Sequence, residues 1–245
     1  MTELKVLLGT LVLSLFAGCA TTERAPADVA QRVKRVAVVS TAAGVFGRQY
    51  IGHTAFGNER HVKPIPEWRL DRIYEEQITK VLRNTYGMTV VDADIDPKTF
   101  AKVDRTWPDR WPDWGAIDDV ARKTCTDHKL DGLFVLAKVG DWGPSVYAVG
   151  HPQGKGANLA LWAQLALIDC ATGKPMAARL VQNGVKDPGV LANSLYPPTM
   201  TLPEGWPWYG EWQPEVYDQA RIELIRLPQQ AWIDTLTYML KSPAK

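Results

Sequence analysis

The residues whose types most readily do chemistry here include three cysteines and four histidines. Cys125 and Cys170 stand in no Cys-x-x-Cys pair and no Cys–His pairing is evident in sequence, so nucleophilic catalysis by either thiol has little support. An oxidising compartment permits a bridge between them. Cys125 falls on the inner face of a predicted helix and Cys170 at a predicted hairpin loop, which leaves their proximity open, and two separate thiols are the favoured reading. His53 and His61 share a Gly-rich segment at a spacing of eight, not the i,i+4 spacing of a helical zinc pair. His128 lies just past a predicted helix end, where the dipole favours a positive ring, and His151 lies in a loop. Solvated or locally bonded histidines are expected, with no metal and no cofactor. Asp92, Asp94 and Asp96 begin like a calcium loop. Pro97 then stands where Gly is needed and Val103 where a bidentate Glu is needed, so a polar strand end is the reading. Trp-Pro-Asp occurs at 107–109 and 111–113, but no Cys is followed six residues on by Arg. A phosphate loop ending in Gly-Lys-Ser/Thr and a Gly-x-Ser-x-Gly elbow are also missing.

What survives is an aromatic surplus. Ten Trp and 17 Pro gather mainly between 64 and 114 and between 196 and 232. Trp107, Trp111, Trp114, Trp142, Trp206, Trp208, Tyr209 and Trp212 all fall in predicted loops. All of these but Trp142 are the candidate partner-binding residues, because aromatic loops combine a large apolar area with a polar handle. The competing reading is that they pin long loops onto the sheet as small cores.

Composition narrows the class. The chain is 46% apolar and 22% charged, which suits a globular core. Its net charge is +1 with Lys and Arg spread along it, so the electrostatic footprint of a nucleic-acid binder is missing.

The first residues read as an export signal. Lys5 precedes a twelve-residue apolar run, 6–17, and then Gly18-Cys19. Twelve residues span about 18 Å as a helix, against a bilayer core of about 30 Å. Leu15-Phe16-Ala17-Gly18-Cys19 resembles the bacterial lipoprotein signal. That resemblance implies that Cys19 is diacylated, becomes the new N-terminus and is acylated again, with palmitate-type chains. Ala20 is not Asp, which by the same resemblance implies the periplasmic face of the outer membrane. Residues 1–18 are then the signal peptide. Residues 19–34, rich in Thr, Ala, Arg and Asp, form a lipidated N-terminus and flexible tether reaching at most about 50 Å. Residues 35–245 form a single α/β domain with Trp/Pro-rich loops.

The elements within that domain follow from periodicity. Residues 35–41 read as a buried strand and 42–67 as loop or irregular hairpin. A helix starting at Trp68 carries Leu70, Ile73, Tyr74, Ile78, Val81 and Leu82 on one face, with Asp71, Glu75 and a Glu76–Lys80 pair on the other, and ends at Asn84–Gly87. A short strand over 88–91 and a loop over 95–113 follow. Asp113 then caps a helix to about Thr126, with Ile117, Val120, Ala121 and Cys125 inward. Residues 133–139 form a third strand and 140–155 another loop. Residues 156–169 and 175–181 are two strands of a hairpin, and 182–213 are irregular. Helices over 214–226 and 228–240 close the chain, the second starting at Pro228. The order predicts a three-layer α/β sandwich, its mixed sheet mostly parallel with an antiparallel hairpin, flanked by helices.

Val36-Ala37-Val38-Val39, Leu130-Asp131-Gly132-Leu133-Phe134-Val135 and the hairpin of Leu165–Asp169 with Ala171-Thr172-Gly173-Lys174 resemble the small α/β domain of periplasmic lipoproteins. These include curli-secretion-type lipoproteins and the outer-membrane activators of peptidoglycan synthases. The resemblance implies a membrane-anchored binding or scaffolding lipoprotein of the bacterial envelope, acting on an envelope protein through protein–protein contacts. An oligomeric secretion or transport subunit, hence a homo-oligomer, is an alternative. A membrane pore is disfavoured, because 200–215 lacks the alternation of a membrane strand. A periplasmic hydrolase using acidic residues with His53 or His61 is a third reading; no catalytic residue is assigned.

Overall fold

The computed structural model of the chain describes residues 24–50, 58–104, 111–139, 144–150, 157–181, 199–201 and 212–240. Its first sheet contains β1 (Arg35–Ser40), β4 (Thr89–Val90), β5 (Gly132–Lys138), β8 (Ala163–Asp169) and β9 (Pro175–Leu180), in the order β4-β1-β5-β8-β9. β1 runs parallel to both β4 and β5, whereas β8 is antiparallel to β5 and to β9. Consecutive residues of the central strands alternate between two cores. Phe134, Leu136, Leu165 and Leu167 face the larger core, and Leu133, Val135, Ala166 and Ile168 face the smaller. Burial on both faces is why these strands read as continuous apolar runs.

The larger core is completed by α2 (Leu70–Tyr86), α4 (Pro214–Arg226) and α5 (Gln229–Leu240); the smaller by α3 (Asp118–His128). Leu70, Tyr74, Ile78 and Leu82 are buried along α2, as its 3.6-residue period predicts. Gly87, at φ 63°, ends that helix in the left-handed region. Trp232, Leu236, Met239 and Leu240 are the buried face of α5. Before α3, Trp114–Ile117 form a 3-10 turn, so the α-helix starts at Asp118 and Asp113 provides no side-chain cap.

The largest departure from the single-sheet expectation is a second five-stranded sheet, β10-β7-β6-β2-β3. It draws β2 (Val45–Tyr50) and β3 (Glu59–Pro64) from the segment read as loop or irregular hairpin. β6 (Val146–Gly150) comes from a segment read as loop, and β10 (Thr199–Thr201) from one read as irregular. Only β2 and β6 pair in parallel in this sheet, so both sheets are mixed and neither is mostly parallel. The run over 156–169, expected to be one strand, is two. β7 (Ala157–Leu161) belongs to the second sheet and β8 to the first. Trp162 is the corner: its amide donates to Ser145 O at 2.7 Å and its carbonyl accepts from Val139 N at 3.3 Å. The apolar run is unbroken because both strands are buried, so hydropathy cannot show the change of sheet.

The tether also needs correction. A short helix, α1 (Val29–Arg32), precedes β1, and Ala25, Val29 and Val33 are buried in the larger core. The Ala25 amide donates to Met239 O at 3.0 Å. Residues 25–33 are therefore part of the folded body. Their i,i+4,i+8 apolar spacing is the signal that composition concealed.

Candidate functional site

Two regions collect polar chemistry, and they lie on different elements. The first is at the carboxyl ends of the parallel strands β1 and β5. Asp71 and Glu75, one turn apart at the start of α2, reach the last residue of β1. The Ser40 hydroxyl donates to Asp71 Oδ1 at 2.5 Å, the Ala43 amide to the same oxygen at 2.9 Å, and the Ser40 amide to Glu75 Oε1 at 2.9 Å. From a 3-10 turn beyond β4, Asp104 accepts the Lys138 amide at 3.2 Å and so caps β5. Burial raises all three carboxyls above the ordinary range, against the hydrogen bonds that hold them down; Asp104 reaches about 6. An open cleft of about 900 Å³ lies outside this cluster, lined by Asp71, Glu75, Arg69, Arg72, Asp92 and Asp94 among others. By helical period alone, Asp71 and Glu75 fall on the solvent face of their helix. Tertiary contact with β1 turns them inward. Glu76 pairs with Arg72 at 3.0 Å rather than with Lys80, and Arg72 also binds Asp92 at 3.2 Å.

The second region is aromatic. Phe46 of β2 packs against Trp68 and Trp212 at 5.3 and 5.7 Å between ring centroids. Trp212 lies 5.4 Å from Tyr217, and the Lys63 ammonium sits 4.3 Å over the Tyr217 ring. Burial lowers the Arg48 guanidinium, which lies 5.2 Å from the Trp212 ring. A groove of about 610 Å³ runs beside these rings, bordered by Lys63, Glu67, Asp218 and Arg221.

Of the candidate binding residues, Trp111 is half-exposed, at 49%. Trp114 and Trp212, at 5% and 3% exposed, are core residues and not contact loops. Trp114 packs in the smaller core and its Nε1 donates to Gln164 Oε1 at 3.0 Å. Trp212 immediately precedes the N-cap of α4 and meets Tyr217 in its first turn, a hydrophobic staple legible in Trp212-Gln213-Pro214-x-x-Tyr217. Trp107, Trp142, Trp206, Trp208 and Tyr209 lie outside the described residues, as do Cys19, His53 and His151.

His61 projects from β3, 3.5 Å from Glu59 and not among the residues of the carboxylate cleft. His128 ends α3, and its carbonyl accepts from Arg35 Nε at 3.4 Å. Asp96 caps a 3-10 turn through Lys98 N at 3.0 Å. Among the described residues no group of three His, Cys, Asp or Glu is placed to hold a metal ion.

Cys125 and Cys170 are joined as a disulfide, their Cα atoms 5.4 Å apart. The bond fixes the β8–β9 hairpin turn to α3. Gly173 at the tip of that turn, φ 74°, approaches the α3 backbone so closely that a Cβ there would lie 2.3 Å from Asp118 O. No helix among the described residues is long and apolar enough to cross a membrane. No protein-family model and no curated protein matches the chain.

Proposed function

We propose that the chain is a lipid-anchored binding or scaffolding protein of the bacterial cell envelope, held by acylated Cys19 on the periplasmic face of the outer membrane and acting through protein–protein contacts. The observation that carries this reading is the Cys125–Cys170 disulfide, because such bonds persist in oxidising compartments. It agrees with the Leu15–Cys19 motif, an independent pointer to export. Half-exposed Trp111 and the open edge of the second sheet supply contact surface. The proposed layering of the body is helix, sheet, helix, with α2 and α5 on one face of the first sheet and α3 on the other, and the second sheet appended. A hydrolase built on acidic residues and His61 is disfavoured, since His61 stands apart from the cleft that Asp71 and Glu75 line.

The test is metabolic labelling with an alkyne palmitate analogue, followed by membrane fractionation. Wild-type chain is expected to carry label and to sediment with outer membranes. Cys19→Ala is expected to lose the label and the membrane association. Label retained in Cys19→Ala would overturn the reading.

A further inference from the structure

β3 is the edge of the second sheet, and its hydrogen-bonding phase can be worked out. β2 and β3 are antiparallel with Val45 opposite Pro64, and just beyond them the Ile65 amide donates to Gly44 O at 3.1 Å. Hydrogen-bonded pairs recur at every second residue, so Lys63, His61 and Glu59 bond to β2. Arg60 and Val62 then turn their amides and carbonyls outward. Pro64, which has no amide to offer the ladder, falls on the same outward phase, where a proline is tolerated. Among the described residues no strand pairs with this edge. β3 is exposed along its length apart from half-buried Glu59, and Val62 is 51% exposed. An open edge of this kind is a template for another strand.

We propose that the occupant is β3 of a second copy of the chain, paired antiparallel about a twofold axis at His61, with Glu59 of each copy facing Lys63 of the other. The sequence selects this register. Pairing requires outward-facing residues to oppose outward-facing residues, so the two strands shift by two residues at a time. With Arg60 opposite Val62 of the second copy, each such pair exchanges two backbone hydrogen bonds and symmetry supplies the pair twice. The same register sets Glu59 against Lys63 at non-hydrogen-bonded positions, where Cα atoms are about 4.5 Å apart and side chains approach most closely. One step in one direction would oppose Arg60 to itself. One step in the other would oppose Pro64, with no amide, to Arg60 and bring Lys63 against His61. Both alternatives lose the opposite-charge match.

The side chains concerned are accessible. Those of Glu59 and His61 are 43% and 52% exposed, and Lys63 lies along the surface over Tyr217. Arg48 is the cross-strand neighbour of His61, and its buried guanidinium lies against Trp212. The result joins two five-stranded sheets edge to edge. This inference goes beyond the envelope reading and does not rest on acylation of Cys19.

Register-specific crosslinking of the full chain in mild detergent tests it, with Cys125 and Cys170 left bonded. Under gentle oxidation His61→Cys is expected to give a covalent dimer, since residues on the axis meet themselves at a disulfide-compatible distance. Arg60→Cys and Val62→Cys are each expected to form no covalent dimer alone, since neither residue meets itself across the axis, and to crosslink to each other when mixed. In light scattering, Glu59→Lys and Lys63→Glu are each expected to weaken self-association by roughly tenfold, and the double reversal to restore it. Circular dichroism on each single variant checks that the fold is kept. A Val62→Cys self-crosslink, no crosslink at any of the three positions, or a double reversal that stays weak would overturn the proposal. So would capture by His61→Cys of a different protein in place of a second copy.

Discussion

Asp104 accepts the Lys138 backbone amide from a position thirty-four residues upstream, and so closes the carboxyl end of β5 with a carboxylate whose burial holds its pKa near 6. An ordinary Asp titrates at 3.8, so the folded chain holds this proton more tightly than the unfolded chain does. The contribution to stability is therefore full below about pH 4 and is lost as pH rises through about 6. Asp104→Asn keeps a carbonyl acceptor for Lys138 N and removes the charge. It is expected to stabilise the protein at pH 7.5 by about 1–3 kcal/mol and to have little effect at pH 4, measured by urea unfolding at the two pH values. Equal effects at both would contradict the sign.

The disulfide closes a long loop, with 45 residues of sequence separation. On the chain-entropy account, removing it costs about 4 kcal/mol. Cys125→Ala with Cys170→Ala is expected to lower the denaturant midpoint accordingly, with the unfolding slope rising as the unfolded chain expands.

Two glycines in the same backbone region separate conformation from packing. Gly87 (φ 63°) has open space around the site of a Cβ, whereas at Gly173 (φ 74°) a Cβ meets Asp118 O. Gly87→Ala is expected to cost about 1–2 kcal/mol, the left-handed penalty alone. Gly173→Ala should cost distinctly more and loosen the hairpin from α3. The comparison is read by thermal melts and by hydrogen exchange of the α3 amides.

The aromatic residues divide in the same manner. Trp212→Ala removes a buried ring packed at a tilt against Phe46 and Tyr217 and is expected to cost about 3–5 kcal/mol. Trp111→Ala, at a half-exposed residue, should cost distinctly less than Trp212→Ala, about 1–2 kcal/mol, so a loss of partner binding with the fold kept reports on contact. A large stability loss in Trp111→Ala would place that ring in a core instead.

The first sheet is legible in sequence because β1, β5 and β8 are buried on both faces and α2 is strongly amphipathic, so period and hydropathy agree. The second sheet is not, for reasons that differ strand by strand. β3, Glu-Arg-His-Val-Lys-Pro, lies on an edge in solvent and has no apolar face to display. β2 contains Gly47 and Arg48, a glycine packed under Pro144 and a cation beside Trp212, both of which resemble loop residues until their neighbours are known. Asp71 and Glu75 are invisible as a cluster because their partners, Ser40 and Ala43, come from another element. Cys125 and Cys170 stand on elements whose relative placement follows from the β8–β9 turn lying along α3, which no local pattern reports.

The docking of Ala25 to Met239 changes what an acylated Cys19 would mean. From Cys19 to Ala25 the chain can extend only about 20 Å, well short of the ~50 Å that a free segment to residue 34 would allow. The lipid would then act less as a leash than as a pivot. The underside of the body, around α1 and the end of α5, would be kept toward the headgroups, and only surfaces pointing away from that pivot would sample the periplasm. Which faces can meet a partner would be decided by orientation, before affinity enters.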